Sequence, residues 1–412
     1  MINSIPISII IPTHNRIGSL LKILKALSEQ NFNQNDFEVI IVADNCIDDT
    51  VNLISKTTNQ FLFRIEAFNV QFGNSAAARN AGADKARGSH LIFLDDDIIP
   101  FHDFIHQHYS NRKNNQVIVG YSKPMFSKRP SVWQQRARRW WEDRFYEMSQ
   151  PGHRFNFMDF FSGNFSINRD LFFSLGGFAK SLKRHEDYEF GLKLLKAGIK
   201  FKFSYQIGGY HYETNDLKKW LRRQKLYGYS NVRMINLHPE VSEYFFKETF
   251  ELYGLYHIIQ LFVKRLAFKK NFAILYLMKI LLSSLYISEK LRLYSMWEKI
   301  VGVLVVYNYW NGVSSELGTY KNYLLWHTEI RKKKYAIENR KSIELKDILE
   351  SDELILDGNP ELSITSDSKT LVMISAKDGG ESLNRNHIIA EVERKFLENI
   401  NPFAYSSLSQ IK

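Results

Sequence analysis

Between Ser4 and Leu94 the chain alternates short β-branched runs with segments whose apolar residues recur at helical spacing, and few folds accept that order. Ser4–Pro12, Phe37–Val42 and His90–Leu94 read as strands buried on both faces, because their apolar residues run on without polar alternation. Phe61–Phe68 is a further strand candidate. In the intervals, Gly18–Gln30 sets Leu20, Ile23, Leu24 and Leu27 along one helical face, and Val51 opens a second helix. The Ala-rich stretch Asn74–Arg87 forms a third, stopped by Gly88. Strand and helix in succession predict a doubly wound α/β fold, in which ligands bind at the carboxyl ends of the strands.

Those ends carry the polar residues. Pro12 leads into Thr13-His14-Asn15-Arg16, Val42 into Ala43-Asp44, and Leu94 into Asp95-Asp96-Asp97, with Pro100 expected to stop the strand. Three adjacent carboxylates repel one another and need a cation. A divalent ion bridging protein oxygens to substrate phosphates suits them, although three Asp alone also suit an ordinary acidic turn. Strand-like alternation sends the Asp96 side chain away from the other two.

At 412 residues the chain has room for two domains or more, and its 44% hydrophobic and 14% aromatic content excludes general disorder. The formal net charge of +11 is uneven: residues 341–412 carry 8 Lys and Arg against 13 Asp and Glu, and the other 340 carry 47 against 31. A basic body fits phosphates or anionic lipid as partners. The single cysteine, Cys46, excludes an intrachain disulfide and a multi-cysteine zinc site, and it fits a reducing compartment. The first residues show no signal-peptide pattern, so a cytoplasmic site is expected, peripheral to the inner face of the plasma membrane at most.

Taken in order, Ser8–Arg16, Asp44…Asp48-Asp49-Thr50, Ala78-Arg79-Asn80-Ala81-Gly82 and Phe93-Leu94-Asp95-Asp96-Asp97 resemble the family 2 glycosyltransferases of the GT-A fold. Ser162–Phe178 and Arg184-His185-Glu186-Asp187 continue the resemblance, which covers roughly residues 4–235. It implies a GT-A-type Rossmann-like mixed sheet flanked by helices. It also implies an inverting transfer of a sugar from a nucleoside-diphosphate sugar, UDP-sugar favoured, to a saccharide, lipid-linked or other hydroxyl acceptor, in polysaccharide or glycoconjugate synthesis. A divalent metal, Mn2+ or Mg2+, is the implied cofactor.

Residue by residue, the resemblance implies donor contacts from Pro12, Thr13, Asn15, Arg16, Asp44, Arg79, Asp95 and Asp96, with Asp44 accepting from a uracil N–H. Asp97, Asp95 and His211 are the implied metal ligands, Asp187 the general base and Glu186 its neighbour. Ordinary roles compete: Asp44 as a helix cap, Arg79 as a surface cation, and the two acids as carboxylates favoured by a helix N-terminus. The chain departs from the family at Ala43, where an Asp is frequent, and at Asn45-Cys46, where Gly-Ser is usual; both bear on which base is bound.

Between Tyr121 and Phe157, Lys128, Arg129, Arg136, Arg138, Arg139 and Arg144 interleave with Trp133, Trp140 and Trp141. Trp140 and Trp141, with Asn164, are the expected acceptor-side residues; an amphipathic helix packed on the domain is the plain alternative. A strand over Phe201–Ser204, then Tyr210-His211-Tyr212-Glu213 and a helix from Leu217, close a first domain at about residue 240.

Residues 241–340 read as a helical region and 341–412 as a small acidic α+β appendage. The most apolar stretch, Phe272–Ile287, is sixteen residues long and holds Lys279. That is short of the roughly 20 a spanning helix needs, so no transmembrane span is expected. Lys264, Arg265, Lys269 and Lys270 point instead to peripheral membrane contact through 241–313, with core packing or a dimer face as alternatives. In the appendage, Leu354–Asn359 holds an Asp-Gly turn, Thr370–Ile374 a strand, Asp378-Gly379-Gly380 a turn and His387–Asn399 a helix.

Three other readings explain less. A sugar-phosphate nucleotidyltransferase should carry a Gly-rich loop where Thr13-His14-Asn15-Arg16 stands. A basic nucleic-acid-binding protein leaves the acidic strand ends unexplained, so no nucleic acid is expected. A membrane-docked scaffold with a degenerate site conflicts with acidic positions that are all filled.

Overall fold

The computed structural model describes residues 5–126, 130–212, 216–247, 255–269, 271–334, 340–351, 354–356, 361–366, 369–374 and 379–400. Lys128, Arg129, Glu213, Lys270, the Asp357-Gly358 turn and Asp378 lie outside these residues. The first half runs β1 (Ile7–Thr13), α1 (Ile17–Ser28), β2 (Phe37–Asp44), α2 (Thr50–Thr57), β3 (Arg64–Val70), α3 (Ser75–Lys85), β4 (His90–Leu94), β5 (Ile98–Pro100), α4 (Phe104–Asn111), β6 (Gln116–Met125), α5 (Val132–Ser149), β7 (Asn164–Asn168), α6 (Arg169–Ser174), α7 (Glu186–Lys196), β8 (Lys200–Tyr212) and α8 (Leu217–Leu237). Helices α9 (Ser242–Lys247), α10 (Leu255–Ala267), α11 (Phe272–Lys290), α12 (Tyr294–Leu317) and α13 (Tyr320–Lys334) follow. The end of the chain holds β9 (Arg340–Glu344), α14 (Leu345–Glu350), β10 (Ile355–Leu356), β11 (Glu361–Ser366), β12 (Lys369–Ile374), β13 (Leu383–Asn384) and α15 (Arg385–Ile400).

An eight-stranded mixed sheet has the order β3-β2-β1-β4-β7-β6-β8-β5. Ile9 and Ile11 of β1 pack with Leu20, Ile23 and Leu24 of α1 on one face, while Ile10 joins Ile40, Val42 and the alanines of α3 on the other. Burial on both faces is why these strands carry continuous β-branched runs. Small residues let α3 lie close: a Cβ on Gly82 would stand 2.4 Å from the Ile10 side chain.

Three sequence expectations shift. Strand β4 ends at Leu94 as expected and the acidic triplet forms a turn, but Pro100 does not end the pairing: the chain resumes as β5, an edge strand antiparallel to β8, where Pro100 is tolerated. Strand β8 runs well past Ser204 to Tyr212; Gly208 and Gly209 permit this where Tyr121, Phe101 and Ile99 crowd their Cα positions. Strand β3 starts only at Arg64; Phe63 instead stacks on Phe37, with Phe61 tilted against Phe63.

Helix α5 carries Trp133, which packs on Trp220 of α8 with ring centroids 4.3 Å apart. Helices α8 and α12 cross at paired glycines, where a Cβ on Gly228 would stand 1.9 Å from the Tyr309 carbonyl oxygen and one on Gly312 1.9 Å from that of Lys225. Helix α11 continues past the apolar stretch to 19 residues, long and apolar enough by length and composition to cross a membrane. The terminal β9-β11-β12 sheet and α15 enclose Leu362, Ile364 and Ile388. This appendage docks on the body: Phe157 N–H donates to the Gly379 carbonyl (3.0 Å), and Glu381 N–H to that of Phe155 (2.8 Å).

Candidate functional site

The ends of β1, β2 and β4 meet α5, α7 and α8 around a cleft of about 950 Å³. The acidic turn forms its floor. Asp95 N–H donates to the Gly163 carbonyl (2.9 Å), and Tyr212 N–H to that of Asp97 (2.9 Å), so β8 is zipped alongside the turn. Gly163 must be glycine, since a Cβ there would lie 2.7 Å from Asp95 Oδ2.

The three carboxylates have different partners. Asp95 accepts from Arg79 Nη2 at 2.7 Å. Asp97 accepts from Arg16 Nη1 at 2.7 Å and faces His211 Nε2 at 3.5 Å. Asp96, in a turn where strand alternation does not apply, lines the cleft with the other two, accepting from Thr13 Oγ1 (2.7 Å) and from the same Arg16 Nη1 (2.8 Å) that Asp97 uses. Burial pushes the Asp96 carboxyl up, against the opposing pull of Arg16 and Thr13. Two guanidinium groups thus supply the positive charge the triplet needs.

The other donor-side residues sit around this turn. Pro12, Thr13 and Arg16 line the cleft beside His14, whose Nδ1–H donates to the Asp44 carbonyl at 2.7 Å. Asp44 lines it too, with a carboxylate that already accepts from the N–H groups of Phe72 (2.7 Å), Gly73 (2.9 Å) and Asn74 (3.0 Å). It therefore shapes the loop into α3, whose N-cap is Asn74. Asn15 is placed otherwise: at φ 53° its side chain accepts from Ile47 N–H (2.7 Å) and ties the first two strand ends together outside the cleft.

Helix α7 forms the opposite wall. His185 precedes it at φ 64°, a left-handed turn that sends the chain directly into Glu186 and Asp187 at the cleft. The two acids differ in their surroundings. Glu186 is buried, accepting from Ser75 Oγ (2.6 Å) and Arg79 Nη1 (3.3 Å), so Arg79 bridges α7 to the acidic turn. Among the described residues Asp187 accepts a near-local bond from Tyr188 N–H (2.9 Å), and no cation pairs with it. Burial first, and then the Glu186 charge, raise the Asp187 carboxyl to about 7.

On the acceptor side, Trp140 is exposed at the rim, and Trp141 packs between Phe145 and Phe161 with His211 at its edge (6.1 Å). Asn164 lies outside the cleft. It is buried in the sheet, where its amide donates to the carbonyls of Tyr121 (3.3 Å) and Ile207 (3.4 Å) and its oxygen meets His108 Nε2 (3.1 Å). Sequence reasoning missed Arg184, Trp220, Arg223 and Tyr227, which all line the cleft. The signal existed: Trp220, Arg223 and Tyr227 recur at spacings of three and four along one face of α8.

Among the described residues no three His, Cys, Asp or Glu side chains are gathered to hold a metal ion. Asp97 and His211 make a two-donor set, carboxylate and imidazole, which fits a Mn2+-like ion completed by substrate oxygens. Among the described residues His211 Nδ1 is buried without a partner, and Nε2 faces Asp97.

A mixed sheet with an acidic turn where β4 ends, closed by helices over a nucleotide-sized cleft, is the GT-A fold. Residues 8–176 match the model of glycosyl transferase family 2. Over 90 residues the chain is 29% identical to poly(ribitol-phosphate) beta-N-acetylglucosaminyltransferase TarS of Staphylococcus aureus (strain Mu50 / ATCC 700699), covering 22% of this chain and 16% of that one. Over 123 residues it is 28% identical to TarP of S. aureus (strain N315), which bears the same enzyme description, covering 28% and 36% respectively. The matched segments thus span well under half of either relative. The mannosyltransferase PcManGT from Pyrobaculum calidifontis, solved with GDP-Man and Mn2+, superposes with a TM-score of 0.50 at 15% identity, covering 74% of this chain and 87% of that one.

Proposed function

We propose that the protein is an inverting glycosyltransferase, moving a sugar from a nucleoside-diphosphate sugar to an acceptor hydroxyl. The observation that carries this reading is the contrast between two adjacent acids: Glu186 is held by Arg79 and Ser75, whereas Asp187 faces the cleft unpaired with a carboxyl raised to about 7. A general base poised near the working pH takes a proton most effectively. Asp187 accepts the acceptor's hydroxyl proton while that oxygen attacks the anomeric carbon and the nucleoside diphosphate leaves from the opposite face. Arg79 holds Glu186 and Asp95 in place, fixing α7 relative to the acidic turn. Asp97 and His211 would hold the divalent ion, which when bound supplies positive charge to the departing diphosphate. Arg16, now on Asp97, would then keep its bond to Asp96.

A UDP-sugar remains the favoured donor through the resemblance at Asp44, and the relatives described as beta-N-acetylglucosaminyltransferases make N-acetylglucosamine the first sugar to test. Incubation with a panel of nucleotide sugars and Mn2+ or Mg2+ should release nucleoside diphosphate from one of them. No release, and no thermal protection by any donor, contradicts the reading.

The working place we favour is an anionic membrane face such as the cytoplasmic leaflet. Phe272, Tyr276, Ile280, Tyr286 and Ile287 of α11 are exposed, while Met278 and Leu285 pack inward. That arrangement supports a helix lying on the surface rather than crossing it. Exposed Lys269, Lys279, Lys290 and Arg292 surround this face, so a second copy would meet like charge whereas anionic lipid would meet its complement. The protein should sediment with anionic vesicles, less so as salt rises; equal binding to neutral vesicles, or none, contradicts this.

A further inference from the structure

We infer that the acceptor carries an anionic group of the phosphate class beside its attacking hydroxyl, held by Arg184 and Arg223. This rests on the transferase reading of the same cleft. Arg184 lies in the loop just before α7, its backbone N–H fixed on Ser230 Oγ of α8 at 3.1 Å. Among the described residues its buried Nε finds no acceptor. Arg223, one α8 turn from Tyr227, also lines the cleft, and among the described residues neither guanidinium forms an ion pair. The other cleft arginines are committed: Arg16 and Arg79 to the acidic turn and Glu186, and Arg136 to Glu298. A buried guanidinium N–H with no acceptor is costly unless a ligand completes it.

The location is set by Tyr227. Tyr227, Arg184, Arg223, Glu186 and Asp187 all line the one cleft, and the Tyr227 hydroxyl pKa, raised by burial, is pulled back by the two cations and pushed further by the two acids. An anion on Arg184, which lies three residues before Asp187, and on Arg223 would therefore share the cleft wall with Asp187. Two forked guanidinium groups suit the oxygens of a phosphate ester. Trp220 beside them offers a flat apolar wall for a polyol or sugar.

The test is a calorimetric titration of the full chain with glycerol 3-phosphate, and with glycerol as the uncharged control, in the presence and absence of saturating UDP and Mn2+. UDP binding is measured first, so failure of the donor reading is seen separately. Glycerol 3-phosphate should bind and glycerol should not, with or without UDP. Arg184→Gln and Arg223→Gln should each weaken the phosphate probe by roughly tenfold to a hundredfold, the usual loss for a charge-assisted hydrogen bond, while UDP affinity stays at the wild-type value. Equal responses to the two probes, or unchanged phosphate binding in both variants, overturn the proposal. A loss of UDP affinity in the variants also overturns it, because the arginines would then serve the donor diphosphate.

Discussion

Asp187 and Glu186 are neighbours in sequence yet have opposite environments, and rotation around a helix explains it. Consecutive helical residues point about 100° apart, so Glu186 turns inward to Ser75 and Arg79 while Asp187 keeps the cleft. The rate consequence follows from the raised Asp187 carboxyl, at about 7 through burial and the Glu186 charge. As a base it works only when ionised, so kcat/KM should climb with pH and level off above about 7. Glu186→Gln removes the repelling charge and should move that inflection to lower pH. A flat profile between pH 5 and 8, or an inflection unmoved by Glu186→Gln, would show that this carboxyl does not take the proton.

Among the elements, the crossing of α8 and α12 has the least tolerance. A Cβ on Gly228 would meet the Tyr309 carbonyl oxygen at 1.9 Å, a backbone atom that moves only if a helix moves. Gly228→Ala should therefore lower the melting temperature, at a cost of about 1–3 kcal/mol or more from overpacking. Gly18→Ala in α1, where nothing stands within 4 Å, should instead stabilise by up to about 1 kcal/mol through helix propensity. Thermal unfolding of both variants checks the contrast. Most elements of this half were legible in the sequence because strands buried on both faces must be continuously apolar, as Ile9–Ile11 and Val39–Val42 are. The exceptions were set by tertiary packing. Strand β8 passes through Gly208 and Gly209 because neighbours crowd them, and β5 forms only because β8 offers an edge. The acidic turn and the α7 acids could be picked out because each motif is contiguous. Arg223 could have been, from its spacing with Trp220 and Tyr227 along α8, but Arg184 could not, since what distinguishes it is a buried Nε without an acceptor among the described residues, which no local pattern records. Asn164 shows the converse, a motif residue whose side chain the fold spends on holding strands together.

At the scale of the whole molecule, the terminal appendage is joined to the site through one segment. Gly379 and Glu381 bond to Phe157 and Phe155, and the Glu381 carboxylate accepts from Phe201 N–H at 3.1 Å. Phe157 in turn lies under α7, since a Cβ on Gly191 would stand 2.7 Å from the Phe157 carbonyl. Burial raises the Glu381 carboxyl to about 7. Because the folded-state value lies above the ordinary one, ionisation in the fold is disfavoured, and stability should fall as pH rises through about 7. Glu381→Gln keeps an acceptor for Phe201 and should melt above wild type at pH 8, the gap closing toward pH 5; a pH-independent difference would contradict this origin. The central claim, that Asp187 is the base of a nucleotide-sugar transferase, is tested most directly by Asp187→Asn in the full chain, with donor affinity and nucleoside diphosphate release measured on the same preparation. Donor affinity should stay near wild type while turnover falls by about 10²–10⁴, as expected for a lost general base; turnover equal to wild type would place the base elsewhere.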